Sequence, residues 1–301
     1  MSGADLPCVE SEGAMTMRDQ IDLAHLAYLE DRADFIRTET IRLIEIAKVG
    51  HYSSVFSAAE IFATLYYSVM SVDPARPAWR ERDRFLMGKG HAAVGLYPVL
   101  ADRGFYPMSD LDTYAHLGSA FGDHPDMKLI KGIDFSSGSI GHALSNGIGM
   151  ALAGRLRNET FTTFVMLGDG EMQEGQVWEA ALSAAHHRLG GVVAIIDRNG
   201  FQLDGEVDEV IGIEPLRAKW EAFGWEVVEV DGHDVGQLRD VLREAKNRPR
   251  EGAPLCVIAL TKKGKGVPYM EEEPGWHLGY LHPLDAAAAA DHIRRSRETA
   301  R

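Results

Sequence analysis

The first third of the chain has a hydrophobic pattern that predicts helices. Apolar residues recur at helical spacing over residues 18–49. A second helix is predicted over residues 57–70, with Ser57 and Glu60 in the positions of a capping box. Residues 80–140 are rich in Gly, His and Pro, and we interpret them as mostly loop and short helix. A segment of this length is more typical of a functional region than of a simple connection.

The following part of the chain alternates short strand-like runs with helical stretches. Runs of β-branched and aromatic residues predict strands, and the segments between them have helical spacing. This alternation predicts an α/β fold in which helices cover both faces of a parallel sheet. The predicted strands cover residues 161–167, 192–197, 226–230 and 255–261, and the predicted helices lie near 142–156, 174–189, 214–223 and 234–247.

The chain divides into one domain and two tails. No Gly/Ser-rich linker interrupts residues 18–283, which we therefore expect to form one domain. Residues 1–17 are polar and contain Gly, so we expect a flexible N-terminal tail. Residues 284–301 are expected to be a C-terminal tail, helical or frayed, without a chemical role.

The composition is that of a globular protein, with 45% hydrophobic and 25% charged residues. A net charge of −14 argues against a role in binding nucleic acid or an anionic membrane surface. Cys8 and Cys256 are too few for a disulfide framework or a Cys metal site, which fits a reducing compartment. No apolar run reaches the length of about 18 residues that spans a membrane. We therefore expect a cytoplasmic protein that acts on small molecules.

Polar residues follow neighbouring predicted strands where ligands bind in open α/β sheets. Asp169, flanked by glycines, follows one strand, and Asn199 follows the next strand along the chain. The two are one strand–helix–strand crossover apart, so both can face one crevice. Taken alone, Gly-Asp-Gly could be only a turn, but its spacing from Asn199 favours a site of hard oxygen ligands for Mg²⁺ or Ca²⁺. The glycines let a diphosphate approach the backbone, and residues 138–141 precede a helix whose N–H groups could bind it.

The same residues carry a resemblance to a known family. The stretch from GDGEMQEGQVWEA to DRNGFQLDG resembles the motif of thiamine diphosphate enzymes, and residues 18–283 resemble the diphosphate-binding half of transketolase. The fold implied is the diphosphate-binding module of thiamine diphosphate enzymes. Further matching pieces in the order of the family are Gly50-His51, GKGHA with His91, Asp123-His124-Pro125, GSIGHALSNGIGMA, Asp231-Gly232-His233-Asp234, and Lys265-Gly266 with Trp276-His277.

The resemblance implies a set of site residues. Asp169, Asn199 and the backbone carbonyl of Phe201 would hold Mg²⁺, or Ca²⁺ or Mn²⁺ in its place, on thiamine diphosphate. His51 and His124 would bind sugar hydroxyls or assist proton transfer. Residues implied to contact the cofactor are His91, Gly138, Ser139, Ile140, Gly170, Asn199, Leu203 and His277. Residues implied to be catalytic are His51, His91, His124, His277 and Glu174. Glu174 and Glu179 match acidic residues that, in the family, line a route between paired active sites.

Some positions depart from the pattern of the family. His142 stands where Gln is usual, and Phe201 stands where Ile is usual, which is harmless if only its carbonyl coordinates. Tyr52-Ser53 replaces the Pro-Gly that commonly follows the first His. Lysines 262, 263 and 265 fit a solvated charge cluster as well as a binding loop.

The resemblance also implies a partner. In the family, a glutamate of a separate pyrimidine-binding domain activates the cofactor, and we find no second unit of that kind in the sequence. We therefore expect an N-terminal subunit of a split transketolase, inactive alone, whose C-terminal partner subunit supplies that glutamate within a heterotetramer. The expected reaction transfers a two-carbon ketol unit from a ketose, usually phosphorylated, to an aldose.

Two other functions stay open. The α subunit of a thiamine-dependent 2-oxo acid dehydrogenase carries the same diphosphate motif, although the histidines at 51, 91, 124 and 277 favour a sugar substrate. A non-catalytic cofactor-binding module is the second alternative. A nicotinamide site at Gly147-x-Gly149 is disfavoured because that run lies inside a predicted helix and follows no strand.

Overall fold

The computed structural model describes residues 17–203 and 205–298, so the predicted N-terminal tail lies outside the described residues except for Met17. A parallel sheet of five strands forms the centre of this described part, in the order β1-β2-β3-β7-β6. A short antiparallel ribbon of β4 and β5 lies apart from it. The strands are β1 Arg84–Met87, β2 Thr163–Gly168, β3 Val192–Arg198, β4 Phe201–Gln202, β5 Gly205–Glu206, β6 Glu226–Asp231 and β7 Leu255–Leu260.

Helices cover both faces of the sheet, as the alternating pattern predicts. The described helices are α1 Met17–Ala47, α2 Ser53–Phe56, α3 Ala59–Thr64, α4 Ala93–Asp102, α5 Ala143–Leu156, α6 Gly175–His186, α7 Val207–Ile211, α8 Leu216–Ala222, α9 Val235–Lys246 and α10 Pro283–Glu298. Successive residues of β2 point into two separate hydrophobic clusters: Phe164 and Met166 pack with α1, α3 and α9, and Val165 and Leu167 with α5, α6 and α8. Burial on both faces explains why the central strands are continuous apolar runs. The α/β fold with a parallel sheet is confirmed.

One strand was not predicted from the sequence. β1 is a run of four residues, Arg84–Met87, within the segment that we interpreted as mostly loop. It pairs in parallel with β2 at the edge of the sheet, where Arg84 lies opposite Thr163. A run this short between charged residues and Gly88 has no clear periodicity, and its pairing with β2 becomes visible only in the tertiary structure.

The second predicted helix, over residues 57–70, agrees with α3 and the π-helical turn Leu65–Val69 that continues it; the short α2, just before it, was not predicted. The predicted capping box is wrong: the Ser57 hydroxyl donates to Asp197 at 2.7 Å, and Glu60 accepts from Arg37 at 2.7 Å. Both side chains are buried, and a hydrogen bond that involves the charged Asp197 or the Arg37–Glu60 ion pair is stronger than a neutral bond to the backbone at the helix start.

The last helix packs on the domain. α10 covers residues that we assigned to a C-terminal tail from the sequence, and Ala286, Ala289 and Ile293 are buried in the same hydrophobic cluster as α1. The helical part of that prediction agrees with the structure. None of the described helices is long and apolar enough to cross a membrane.

Candidate active site

A cavity of about 260 Å³ opens at the carboxyl ends of β2 and β3. These strands are neighbours, so the two polar strand ends that carry Asp169 and Asn199 do meet at one edge, and β7, which precedes the lysines at 262, 263 and 265, pairs with β3 on its other side. Of the residues predicted from the sequence, the cavity is lined by His91, Ile140, Asp169, Gly170, Glu174, Asn199, Phe201, Leu203 and His277.

Asp169 directly follows β2 and is almost fully buried, with 1% of its surface exposed. One carboxylate oxygen accepts from the backbone N–H of Gly170 at 2.8 Å, and the other from that of Gly200 at 2.6 Å. The Arg198 guanidinium donates to the second oxygen at 3.1 Å. Burial, and then the charge of Asp197, raise the pKa of Asp169 above its usual range. A cation bound at this carboxylate would offset both unfavourable effects.

Asn199 lies in the tight turn that follows β3. Its amide oxygen accepts from the backbone N–H of Phe201 at 3.1 Å, and its amide nitrogen donates to Asp197 at 3.2 Å. Gly200 makes this turn possible with φ of +84°, a value that side chains rarely allow. The turn places the amide of Asn199 and the backbone of Phe201 beside Asp169 in the cavity lining.

The oxygen donors at the cavity fit a Mg²⁺ ion that a diphosphate also binds better than they fit a metal ion held by side chains alone. Asp169, Asn199 and the Phe201 carbonyl are all oxygen ligands of the hard type that Mg²⁺ prefers. Among residues 17–203 and 205–298, no group of three or more His, Cys, Asp or Glu side chains could hold a metal ion. A metal here would therefore need further ligands from water or from phosphate oxygens, as is usual for Mg²⁺.

Three imidazole rings meet at one edge of the cavity. The ring centroid of His51 lies 4.9 Å from that of His91 and 5.3 Å from that of His277. The His91 and His277 centroids are 5.2 Å apart. Two backbone hydrogen bonds of 3.0 Å between Gly50 and Gly279 hold the segments of His51 and His277 side by side. The structure thus brings together three of the four predicted histidines in one cluster.

Burial keeps two of these imidazoles uncharged. It is the main cause that lowers the pKa of His91 well below its ordinary value, and the charge of Lys89 lowers it further. Burial also lowers the pKa of His277 to about 3, with a contribution from Lys263. Both rings are therefore neutral near pH 7, and each has one nitrogen that donates and one that accepts a hydrogen bond.

The fourth predicted histidine, His124, lies nearer to solvent. Its side chain is 43% exposed, and its Nδ1 lies 3.2 Å from the carboxylate of Asp123. It also adjoins the predicted cofactor segment, since a Cβ added to Gly138 would lie 3.9 Å from its ring. Gly138 and Ser139 themselves are exposed, and of this segment only Ile140 lines the cavity.

Two of the predicted residues mark the rim of the cavity. Leu203 is 60% exposed on the loop after β4. Glu174 is exposed at the start of α6. It packs closely on Gly141: a Cβ added to Gly141 would lie 2.8 Å from the Cβ of Glu174, so a glycine is required there. Glu179 is exposed on α6 and does not line the cavity.

A buried ion pair, whose Lys89 lines the cavity, was not predicted from the sequence. The Lys89 ammonium contacts the carboxylate of Asp197, and their side chains are 4% and 0% exposed. Asp197 also accepts from the Ser57 and Thr261 hydroxyls. Burial alone would raise the pKa of Asp197, but Lys89 and these hydroxyls outweigh it and hold the pKa below its usual range. In the sequence, the only sign of this ion pair was the presence of Lys89 in the GKGHA motif.

Glu171 is a second buried group that sequence reasoning missed. Its carboxylate accepts from the backbone N–H groups of Gly141 at 2.7 Å and Gly168 at 3.1 Å. It thereby ties the 138–141 segment to the end of β2. Burial is the main cause that raises the pKa of Glu171 to about 7. A Cβ added to Gly88 would lie 2.3 Å from the carboxylate, so this glycine makes room for it.

Comparison with known proteins gives one consistent family. The family model described as transketolase, thiamine diphosphate binding domain, matches residues 29–297. The chain is 39% identical over 258 residues to a 6-deoxy-6-sulfo-D-fructose transketolase subunit of Clostridium sp. strain MSTE9, which covers 86% of this chain and 91% of that protein. It is 37% identical over 251 residues to one of the subunits of the apulose-4-phosphate transketolase of Phocaeicola vulgatus, which covers 83% of this chain and 88% of that protein.

A solved structure agrees with these relatives. Transketolase from Leishmania mexicana superposes with a TM-score of 0.80 at 27% identity, over 90% of this chain and 44% of that longer chain. The matched part is the part that carries the parallel sheet and the cavity described above. The chain therefore belongs to the transketolase family, as a transketolase subunit that comprises the thiamine diphosphate-binding domain.

Proposed function

We propose that this chain is the cofactor-diphosphate-binding subunit of a split, cytoplasmic transketolase, which works with thiamine diphosphate and Mg²⁺ in a heterotetramer. The observation that carries the proposal is the juxtaposition of Asp169 and Asn199 with the imidazoles of His91 and His277 around one cavity. The oxygen ligands suit a Mg²⁺ diphosphate, and the neutral imidazoles suit hydroxyl groups of a sugar. The same juxtaposition favours a sugar substrate over the 2-oxo acid of a dehydrogenase α subunit.

The proposed metal ligands are Asp169, Asn199 and the backbone carbonyl of Phe201. Gly170 and the 138–141 segment would contact the cofactor, with Leu203 against the thiazolium ring. When bound, thiamine diphosphate supplies the electron sink for cleavage of the carbon–carbon bond. The work of the protein is to fix the geometry, to exclude water and to move protons.

The histidines are proposed to handle those protons. His277 Nδ1 lies 3.2 Å from the Lys263 ammonium, which can only donate. Its Nδ1 therefore accepts, and its Nε2 carries the proton and can donate to a substrate hydroxyl or a developing alkoxide. His91, which is neutral through burial, is proposed to contact the diphosphate beside it.

A partner subunit is proposed to complete the site. Relatives of nearly the same length are named as subunits, and a full-length transketolase chain is matched over less than half of its length. The cavity has an open rim at Leu203 and Glu174, which a second chain could cover. We propose that this second chain supplies the pyrimidine-binding domain and the glutamate that activates the cofactor.

The proposed donor is a ketose with a terminal anionic group. The names of two relatives specify a sulfonated ketose and a phosphorylated branched sugar. A phosphoketose is the first substrate to test, followed by sulfonated and branched ketoses. The acceptor is an aldose.

The test is a reconstitution. The chain is co-purified with the product of the neighbouring reading frame and assayed for ketol transfer with thiamine diphosphate and Mg²⁺, against each chain alone. Asp169→Asn should weaken Mg²⁺-dependent cofactor binding at least about 100-fold, whereas Asp110→Asn, an exposed change, should not. No thiamine-dependent transfer by the pair would refute the proposal. Decarboxylation of 2-oxo acids would favour the dehydrogenase, and cofactor binding without turnover a non-catalytic module.

A further inference from the structure

Asp123 lies between two of the histidines. One carboxylate oxygen lies 3.2 Å from Nδ1 of His51, and the other lies 3.2 Å from Nδ1 of His124. The backbone beside it is anchored, because the buried Tyr97 donates its hydroxyl to the carbonyl of Gly122 at 2.8 Å. One carboxylate thus joins the imidazole cluster to His124, the more exposed histidine.

The contact with Asp123 determines which nitrogen of His51 carries the proton. Burial alone would raise the pKa of Asp123, but His51 and His124 outweigh it and hold the pKa below its usual range. An ionised carboxylate can only accept hydrogen bonds, so Nδ1 of His51 must be the donor. In the neutral ring, Nε2 of His51 is then left as a proton acceptor.

The neighbouring ring has the opposite arrangement. His277 faces the Lys263 ammonium with Nδ1, at 3.2 Å, and therefore has its proton on Nε2. The centroids of His51 and His277 are 5.3 Å apart, so the two rings can reach the same substrate. The pair offers one accepting and one donating Nε2, which suits the exchange of a proton between a hydroxyl and an alkoxide.

We propose that Asp123 is a positioning residue that fixes the Nδ1–H tautomer of His51 and holds His124 beside it, so that His51 accepts a proton from the substrate. Asp123 acts through the imidazoles and does not itself contact the reacting atoms. Its kinetic effect rests on the proposed transketolase function, whereas its effect on the tautomer does not.

The tautomer is measured directly by long-range ¹H–¹⁵N NMR of the full chain with ¹⁵N-labelled histidine. The His51 signals are assigned from their loss in His51→Gln. We expect the Nδ1–H form in the unchanged protein and in Asp123→Asn, whose amide oxygen can still accept. Asp123→Leu should move His51 to the Nε2–H form, and Asp126→Asn, in the same loop, should leave it unchanged. An Nε2–H form in the unchanged protein, or an Nδ1–H form in Asp123→Leu, would overturn the proposal.

Kinetics of the reconstituted pair give a second readout. Asp123→Leu should lower kcat by about 10- to 100-fold, the size of a general acid–base contribution, with a smaller change in KM. Asp123→Asn should retain most of the rate, and Asp126→Asn all of it. A change in KM alone would refute the positioning role. If the unchanged pair shows no ketol transfer, the proposed function fails, and the NMR result still decides the role of Asp123.

Discussion

The ion pair of Lys89 and Asp197 gives the sharpest prediction about stability. Lys89→Met keeps the length and apolar stem of the side chain but removes the ammonium from a carboxylate that is 0% exposed. The remaining donors to Asp197 are the hydroxyls of Ser57 and Thr261 and the amide of Asn199, none of which is charged.

The expected cost follows from that burial. Removing one partner of a buried ion pair destabilises a protein by about 3–5 kcal/mol, because the other charge is left uncompensated in a poorly polarisable environment. We therefore expect Lys89→Met to lower the free energy of unfolding by about 3–5 kcal/mol near pH 7. The double variant Lys89→Met/Asp197→Asn should recover a large part of this loss, since no buried charge remains.

The loss should also depend on pH. The folded-state pKa of Asp197 is lowered, so the pair stabilises the fold fully above the unfolded pKa of about 3.9 and less as pH falls through the folded pKa. In Lys89→Met, the ammonium no longer offsets burial, which raises the pKa of Asp197, so the variant can take up a proton at this carboxylate. The difference in stability between Lys89→Met and the unchanged protein should therefore be largest at alkaline pH and shrink as pH falls.

The assay is urea unfolding followed by tryptophan fluorescence, with linear extrapolation to water. Lys131→Met, at an exposed position, is the matched control and should change stability by less than about 0.5 kcal/mol. A loss below about 1 kcal/mol in Lys89→Met would refute the assigned role of the pair. A double variant that is no more stable than Lys89→Met would refute it as well.

Other predictions concern two groups that line the cavity, His277 and Glu171, and one glycine of the core, Gly95. His277 should stay neutral at pH 5, since its pKa is lowered to about 3, and a protonated ring in ¹⁵N NMR at that pH would contradict the burial argument. Glu171 has its pKa raised to about 7 from 4.5, so the folded protein binds more protons than the unfolded chain between these values and stability falls as pH rises. In urea unfolding, the stability of Glu171→Gln relative to the unchanged protein should thus rise from pH 4.5 to 7 and then stay constant. A stability difference that does not change with pH would contradict the raised pKa of Glu171. Gly95→Ala should destabilise by about 1–3 kcal/mol, because its Cβ would lie 2.3 Å from Val55 in the core, and a neutral result in the same assay would show that Val55 can move aside.

Much of the fold was predictable because the informative signals are local. α1 and the strands β2, β3, β6 and β7 follow from periodicity within short windows, and the structure confirms them within a few residues at each end. β1 could not be predicted, because four residues carry no period and their pairing with β2 comes from distant sequence.

The misassigned capping box shows the limit of a local pattern. Ser57 and Glu60 have the spacing of that motif, but Asp197 and Arg37, which they bind instead, are distant in the sequence. Nothing in a short window distinguishes a helix cap from a side chain committed to a buried partner.

The candidate site likewise has a part that local patterns predict and a part that they do not. Asp169 and Asn199 were predictable as neighbours because residues at the carboxyl ends of adjacent parallel strands share one edge. Lys89 and Glu171 were not, because their importance depends on burial and on partners from other segments. The roles of the predicted histidines stay predictions, although His51, His91 and His277 do lie together.

The register of β2 and β3 has a consequence for how this architecture can diverge. Gly168 lies opposite Asp197 in a ladder of backbone hydrogen bonds; Asp169 directly follows Gly168, and Asn199 comes two residues after Asp197. Their spacing is therefore set by main-chain geometry, which changes little when the apolar residues inside the sheet are exchanged for others of similar volume. Such an arrangement can drift far in sequence while it keeps its ligand geometry, which is consistent with a TM-score of 0.80 at only 27% identity.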